Sequence, residues 1–201
     1  MLHIYYIFRI FFYGSLDNAP SKLAALMIAL RVRARAAAWI ERSTLQLGFL
    51  RKAALIKEQP ARFIFVCSGN ICRSPYAEAV ARSRGLHAIS CGTKTDPGRT
   101  ADPTAVSQAA ERGVNLKAHK TARWHDIDIR GADVIVAMQL KHAVNVLPRA
   151  RLHGRPVILF SSLLVPKFAV IHDPYGKSAE EFQAVFSLID IGITRLLELR
   201  D

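Results

Sequence analysis

Three cysteines in 201 residues are too few for a disulfide scaffold and fit a reduced, intracellular chain better than a secreted one. Eleven glycines and nine prolines, without any repeat, exclude collagen-like and low-complexity architectures. The aromatic apolar run at residues 2–13 is broken by Arg9 and falls short of the roughly 20 apolar residues that a membrane-crossing helix needs. It also lacks the basic lead-in of a signal peptide. Acids are scarce: 16 Asp and Glu stand against 28 Lys and Arg, for a net charge of +12. Half of that excess falls in residues 1–60, with nine basic and three acidic residues. No zinc-finger, RNP or basic-zipper pattern accompanies it, so no nucleic-acid partner is expected.

What is present is enough apolar residue for a packed core: 51% hydrophobic against 22% charged. The chain reads as two parts, 1–60 and 61–201. The first is a basic extension, expected to be helical over residues 22–57, with Leu23, Leu26, Met27 and Leu30 at helical spacing. Such a stripe suits peripheral contact with an anionic membrane. It equally suits docking on a partner or on the chain's own domain, or sequence lying upstream of the true start.

From Ala61 onward, β-rich runs alternate with helical patterns. Strands are expected at residues 62–67, 86–90, 132–138 and 156–160. A helix is expected from Pro75 to Arg84, with Ser74 as its cap and Gly85 as its stop. Another starts at Asp102-Pro103 and ends at Gly113. A last, long helix carries Phe182, Val185, Phe186, Ile189, Ile193, Leu196 and Leu197 on one face, with Ser178 and Glu181 as a capping box. This order predicts an α/β fold, a small four-stranded parallel sheet with helices on both faces. Ligands of such sheets bind beyond the carboxyl ends of the strands.

The segment beyond the first strand is Cys67-Ser68-Gly69-Asn70-Ile71-Cys72-Arg73-Ser74-Pro75. Gly69 and Asn70 tolerate the left-handed backbone that turns several N–H groups inward. Such donors, with the helix N-terminus behind them, bind a dianion. The same field favours a thiolate at Cys67, which makes it a nucleophile. Arg73 can hold two phosphate oxygens at once in its planar fork, which Lys could not. Ser74 can donate to the sulfur. Cys67 taken alone would be a small core residue; its place between strand and helix favours chemistry.

The run from Phe65 to Glu78, Phe-Val-Cys-Ser-Gly-Asn-Ile-Cys-Arg-Ser-Pro-Tyr-Ala-Glu, resembles the signature of the low-molecular-weight protein tyrosine phosphatases, and the resemblance extends over residues 61–201. It implies a phosphatase domain there that hydrolyses phosphotyrosine esters through a phosphocysteine intermediate, without metal or other cofactor. It implies Cys67, Arg73 and Asp173 as the catalytic set, Asp173 being the general acid in His172-Asp173-Pro174-Tyr175. Ser68, Gly69, Asn70, Ile71, Cys72 and Ser74 would form the phosphate-binding loop, supported by Ser90 and His119, with Tyr175 as an aromatic wall of the cleft. His172 reads as a plain loop residue. Cys72 would be able to form a reversible disulfide with Cys67, and Cys91 to serve packing. A cytoplasmic location follows, with a phosphotyrosine protein as substrate and a bacterial tyrosine kinase as candidate partner.

The chain departs from the family pattern at three places. Asp96 stands near the position of a Trp found in many bacterial relatives. Gln139 replaces the Asp that follows the Met of the third strand, and residues 1–60 are additional. The first two bear on substrate preference. Arsenate reduction on the same fold is a rival, but it needs a relay of further cysteines, for which only Cys72 and Cys91 are available. A non-catalytic phosphate-binding module is a second rival, against which the intact Cys67, Arg73 and Asp173 argue.

Overall fold

The computed structural model describes residues 62–164 and 171–199. The extension expected at residues 1–60 lies outside them. Four strands form one parallel sheet in the order β2-β1-β3-β4: β1 Arg62–Cys67, β2 Ala88–Gly92, β3 Asp133–Ala137 and β4 Val157–Leu159. All six residues of β1 are buried: Arg62 pairs with Asp133 at 2.8 Å, and Phe63 to Cys67 read as a continuous apolar run with no polar alternation.

Alternation along β1 separates the two sides of the sheet. Phe63, Phe65 and Cys67 face a core built with α1 (Arg73–Ser83), α2 (Pro103–Ala110) and α4 (Ala179–Glu198). Ile64 and Val66 face a smaller cluster with Cys91, Trp124 and Ile135, closed by Val146 and Ala150 of α3 (Leu140–Leu152). Cys67 therefore points toward the larger helical layer, at the carboxyl end of a central strand. Tyr76 of α1 stacks on Phe186 of α4 with ring centroids 3.7 Å apart, and its hydroxyl donates to Asp190. Arg112 donates to that same hydroxyl and to Asp190, Gln183 and Ser187, which ties the end of α2 to α4. Gly192 leaves room for the Phe160 ring, which occupies the space a Cβ there would need.

Several element boundaries differ from expectation. β2 begins at Ala88, two residues late, and runs on to Gly92. The helix expected from Pro75 begins at Arg73, with Cys72 at the cap position and no side-chain cap bond. Ser74 is not a cap because it is buried in the first turn with its hydroxyl turned inward. The capping box on α4 does not form either: Ser178 precedes the helix without a side-chain cap bond, and it hydrogen-bonds to the Glu180 carboxyl, which lies below its ordinary range. α3 has no counterpart in the sequence reading; Pro148, a helix breaker by type, lies inside it. Gly85 follows α1 as the expected stop, with left-handed φ of 82°, whereas α2 ends at Ala110, three residues before Gly113, which closes the next turn with φ of 73°. Asp102 caps α2 by accepting from the Ala105 N–H at 3.0 Å.

Candidate active site

The loop between β1 and α1 is shaped by one residue. Asn70 has φ of 54° and is the only non-glycine residue with positive φ among the described residues. That conformation turns its own N–H onto Cys67 Sγ at 3.2 Å. Its side-chain oxygen accepts from the Ala122 N–H at 2.9 Å, while its amide nitrogen donates to Ser74 Oγ at 2.9 Å and Ser90 Oγ at 2.8 Å. The proton directions follow. Ser90 accepts from Asn70 and donates to Glu78 at 2.7 Å. Ser74 likewise accepts from Asn70, and its own hydroxyl lies 3.0 Å from Cys67 Sγ and 3.4 Å from the Cys91 carbonyl. The Asn70 N–H and the Ser74 hydroxyl thus both meet the sulfur.

The loop is fastened at further points. His119 Nε2 lies 2.8 Å from the Asn70 carbonyl. A carbonyl can only accept, so Nε2 carries the proton. Asp102 N–H donates to the Ile71 carbonyl and Lys94 N–H to the Ser68 carbonyl. Gly92 allows the last contact: a Cβ there would lie 2.6 Å from the Ser68 oxygen. Ser90 and His119, expected as supports, are therefore both in direct contact with Asn70.

Arg73, only 1% exposed, is the first residue of α1. Its Nη2 meets Asp173 Oδ2 at 2.6 Å, its Nη1 lies 3.5 Å from the Ile171 carbonyl, and its Nε has no partner. With no side-chain cap on α1, the helix start and a guanidinium donor are both available to an anion. Asp173 is 42% exposed and comes from the segment that precedes α4. The structure therefore brings Cys67, Arg73 and Asp173 to one end of the sheet. Tyr175, two residues further on, is 59% exposed, and His172 is also exposed.

The three thiols are not equivalent. Burial pushes the Cys72 and Cys91 thiols far up. Cys72 shares the larger core with Cys67, whereas Cys91 lies in the cluster on the opposite face, a packing residue as expected. Two further residues concern the site. His142, in the first turn of α3, is 1% exposed and places Nε2 2.8 Å from Ser68 Oγ. Its pKa is lowered to about 3, by burial first and then by the Arg73 and Lys141 charges, so the ring is neutral. Sequence reasoning missed it; its place just beyond the carboxyl end of β3 was the available signal. Gln139, the departure expected to bear on substrate preference, makes a main-chain contact. Its Nε2 donates to the Ile171 carbonyl at 3.0 Å, so it contacts the segment carrying Asp173. A cavity of about 620 Å³ borders Glu78, Ser90 and His119 but not Cys67 or Arg73, so it backs the hydrogen-bond network and not the phosphate loop.

A nucleophilic cysteine and an arginine joined by a five-residue anion-binding loop, on a four-stranded parallel sheet, define the class of cysteine-dependent phosphatases. The chain belongs to the family described as low molecular weight phosphotyrosine protein phosphatase, whose profile matches residues 62–200. It is 35% identical over 129 residues to the low molecular weight protein-tyrosine-phosphatase Etp of Escherichia coli strain K12, covering 63% of this chain and 86% of that protein. Its fold is similar to the Erwinia amylovora tyrosine phosphatase AmsI, with a TM-score of 0.60 and 28% identity over 70% of this chain and 93% of that one. It is also similar to the YwlE arginine phosphatase of Geobacillus stearothermophilus, with a TM-score of 0.59 and 25% identity over 69% and 92% of the two chains. Among the described residues, no helix is long and apolar enough to cross a membrane.

Proposed function

We propose that the protein hydrolyses phosphotyrosine in a protein substrate through a phosphocysteine at Cys67. The observation that carries this is the convergence of the Asn70 N–H and the Ser74 hydroxyl on Cys67 Sγ, at the foot of a helix that begins with buried Arg73. The thiolate attacks phosphorus and the bond to the tyrosyl oxygen breaks. Asp173, in its acid form, gives that oxygen its proton. Arg73 Nε and the loop N–H groups hold the equatorial oxygens where charge spreads in the transition state. In the second step water attacks phosphorus, Asp173 takes the water proton, and the Cys67 thiolate leaves with phosphate released.

The domain at residues 61–201 carries this chemistry whole. The substrate is a phosphotyrosine protein, with a tyrosine kinase as candidate partner, and three unpaired thiols suit the cytoplasm. Arsenate reduction is the weaker reading, because a relay would have to pass through deeply buried thiols on opposite faces of the sheet. Acid-quenched protein incubated with phosphotyrosine peptide should carry phosphate on Cys67 by mass spectrometry. Comparison of kcat/KM on phosphotyrosine, phosphoserine and phosphoarginine peptides tests the substrate class. Faster turnover of phosphoarginine would reject phosphotyrosine as the preferred substrate.

A further inference from the structure

Three of the four buried side-chain polar atoms without a partner, among the described residues, belong to this end of the sheet: Arg73 Nε, His142 Nδ1 and Gln139 Oε1. The first is accounted for by the anion site. Gln139 is not, because its contact is with main chain. It precedes α3 with an extended backbone, at φ of −148° and ψ of 160°, and its side chain makes no cap bond to that helix. Instead its amide reaches across the fold to the Ile171 carbonyl. Since a carbonyl only accepts, the amide nitrogen must face Ile171 and the oxygen must face away, where it has no donor. One polar atom is left unsatisfied while the other holds a segment 32 residues away.

We propose that Gln139 is a positioning residue for the general acid: its amide fixes the Ile171 main chain and thereby the placement of Asp173 at the phosphate loop. This rests on Asp173 being that acid, as read above. The segment is lightly held. Ile171 and Pro174 are buried, but His172 and Asp173 between them are exposed. Among the described residues, side chains reach the main chain of Ile171–Asp173 at 3.0 Å from Gln139 and at the 3.5 Å limit from Arg73. The Asp173 carboxylate has its own tie, the 2.6 Å pair with Arg73. A phosphate dianion competes for that same guanidinium, so this tie weakens at the moment the proton must be delivered. The Gln139 bond involves no group that the phosphate touches, and it persists.

The test uses the full chain, with kcat/KM measured on aryl phosphates from 4-nitrophenyl to phenyl and on an alkyl phosphate. Only poor leaving groups need the proton, so a misplaced acid steepens the dependence on leaving-group pKa. A loosened phosphate loop would slow every ester alike. Gln139→Glu keeps the shape and removes the donor; Gln139→Met removes it without adding charge. Both should depress the poor-leaving-group esters roughly five- to tenfold more than the 4-nitrophenyl ester, the scale of one lost hydrogen bond. Either change made on top of Asp173→Asn should add no further leaving-group dependence. Equal slowing across the series in both variants would overturn the proposal, as would a normal series for Gln139→Met, which would trace any Gln139→Glu defect to added charge. If Asp173→Asn alone leaves the series flat, the acid assignment itself fails. A steep series for Asp173→Asn with flat series for both Gln139 variants rejects the role of Gln139 alone.

Discussion

Asn70 contacts Cys67 and Asp173 contacts Arg73, from two segments that are held very differently. Asn70 is fully buried, and its side chain, carbonyl and N–H all have partners. Asp173 is half-exposed, hangs between two buried anchors, and meets the loop through a single ion pair. The contrast has a chemical reason. The cradle, as proposed, holds donors toward charge that spreads in the transition state, and donors fixed in advance need no reorganisation there. The acid role proposed for Asp173 requires it to approach the leaving oxygen, give up a proton and later take one from water, which suits a segment with fewer ties.

The comparison makes its strongest claim on the cradle. Cys67→Ser should abolish turnover of 4-nitrophenyl phosphate, since an alkoxide is not accessible near neutral pH, while inorganic phosphate still binds by titration. Comparable turnover in both proteins would remove Cys67 from the chemistry. Arg73→Lys should cost on the order of 10²–10³ in kcat, because a point charge cannot replace a bidentate clamp. The next effect belongs to the acid. Asp173→Asn should slow phenyl phosphate by about 10²–10⁴ and the 4-nitrophenyl ester by much less. Equal slowing would place the acid elsewhere.

A further effect is read in stability. His142 is held neutral in the fold, with its pKa near 3 against an ordinary 6.5. Below pH 6.5 the unfolded chain takes up a proton that the folded chain refuses. Stability should therefore fall as pH drops from about 6.5 toward 3, by up to about 1.4 kcal/mol per pH unit, and be unaffected by this group above 6.5. Urea denaturation at stepped pH should show the slope, and His142→Asn should flatten it. The smallest effect concerns the extension. Family similarity begins at residue 62, and Cys67, Arg73 and Asp173 all lie beyond it. Removing residues 1–60 should leave the rate on a small ester within about twofold, well under 1 kcal/mol of barrier. A truncated chain that fails to fold would show that the extension completes the core.

The phosphate loop was legible in the sequence because everything it needs is local. Strand, left-handed turn, arginine and helix start fall within Arg62–Ser83, and the spacing of Cys67, Asn70 and Arg73 is itself the geometry. Ser74 shows the limit of local reading. A serine before a proline at a helix start looks like a cap, and only the structure shows that Asn70 holds its hydroxyl beside Cys67 Sγ and not at the helix end. Asp173 needed the family resemblance, since an Asp-Pro pair is as easily a helix start, as Asp102-Pro103 is.

The sequence by itself determined the four-stranded parallel sheet and pointed to Cys67 and its loop as a place for anion chemistry. These follow from residue type, from the alternation of β-rich and helical runs, and from the helical spacing of apolar residues. Only the tertiary structure decided that His142 braces Ser68, that Gln139 reaches Ile171, and that Asp173 pairs with Arg73. Those contacts join residues 74, 32 and 100 positions apart, where no local period links them, and each arises because parallel strands deliver their carboxyl ends to the same edge of the sheet.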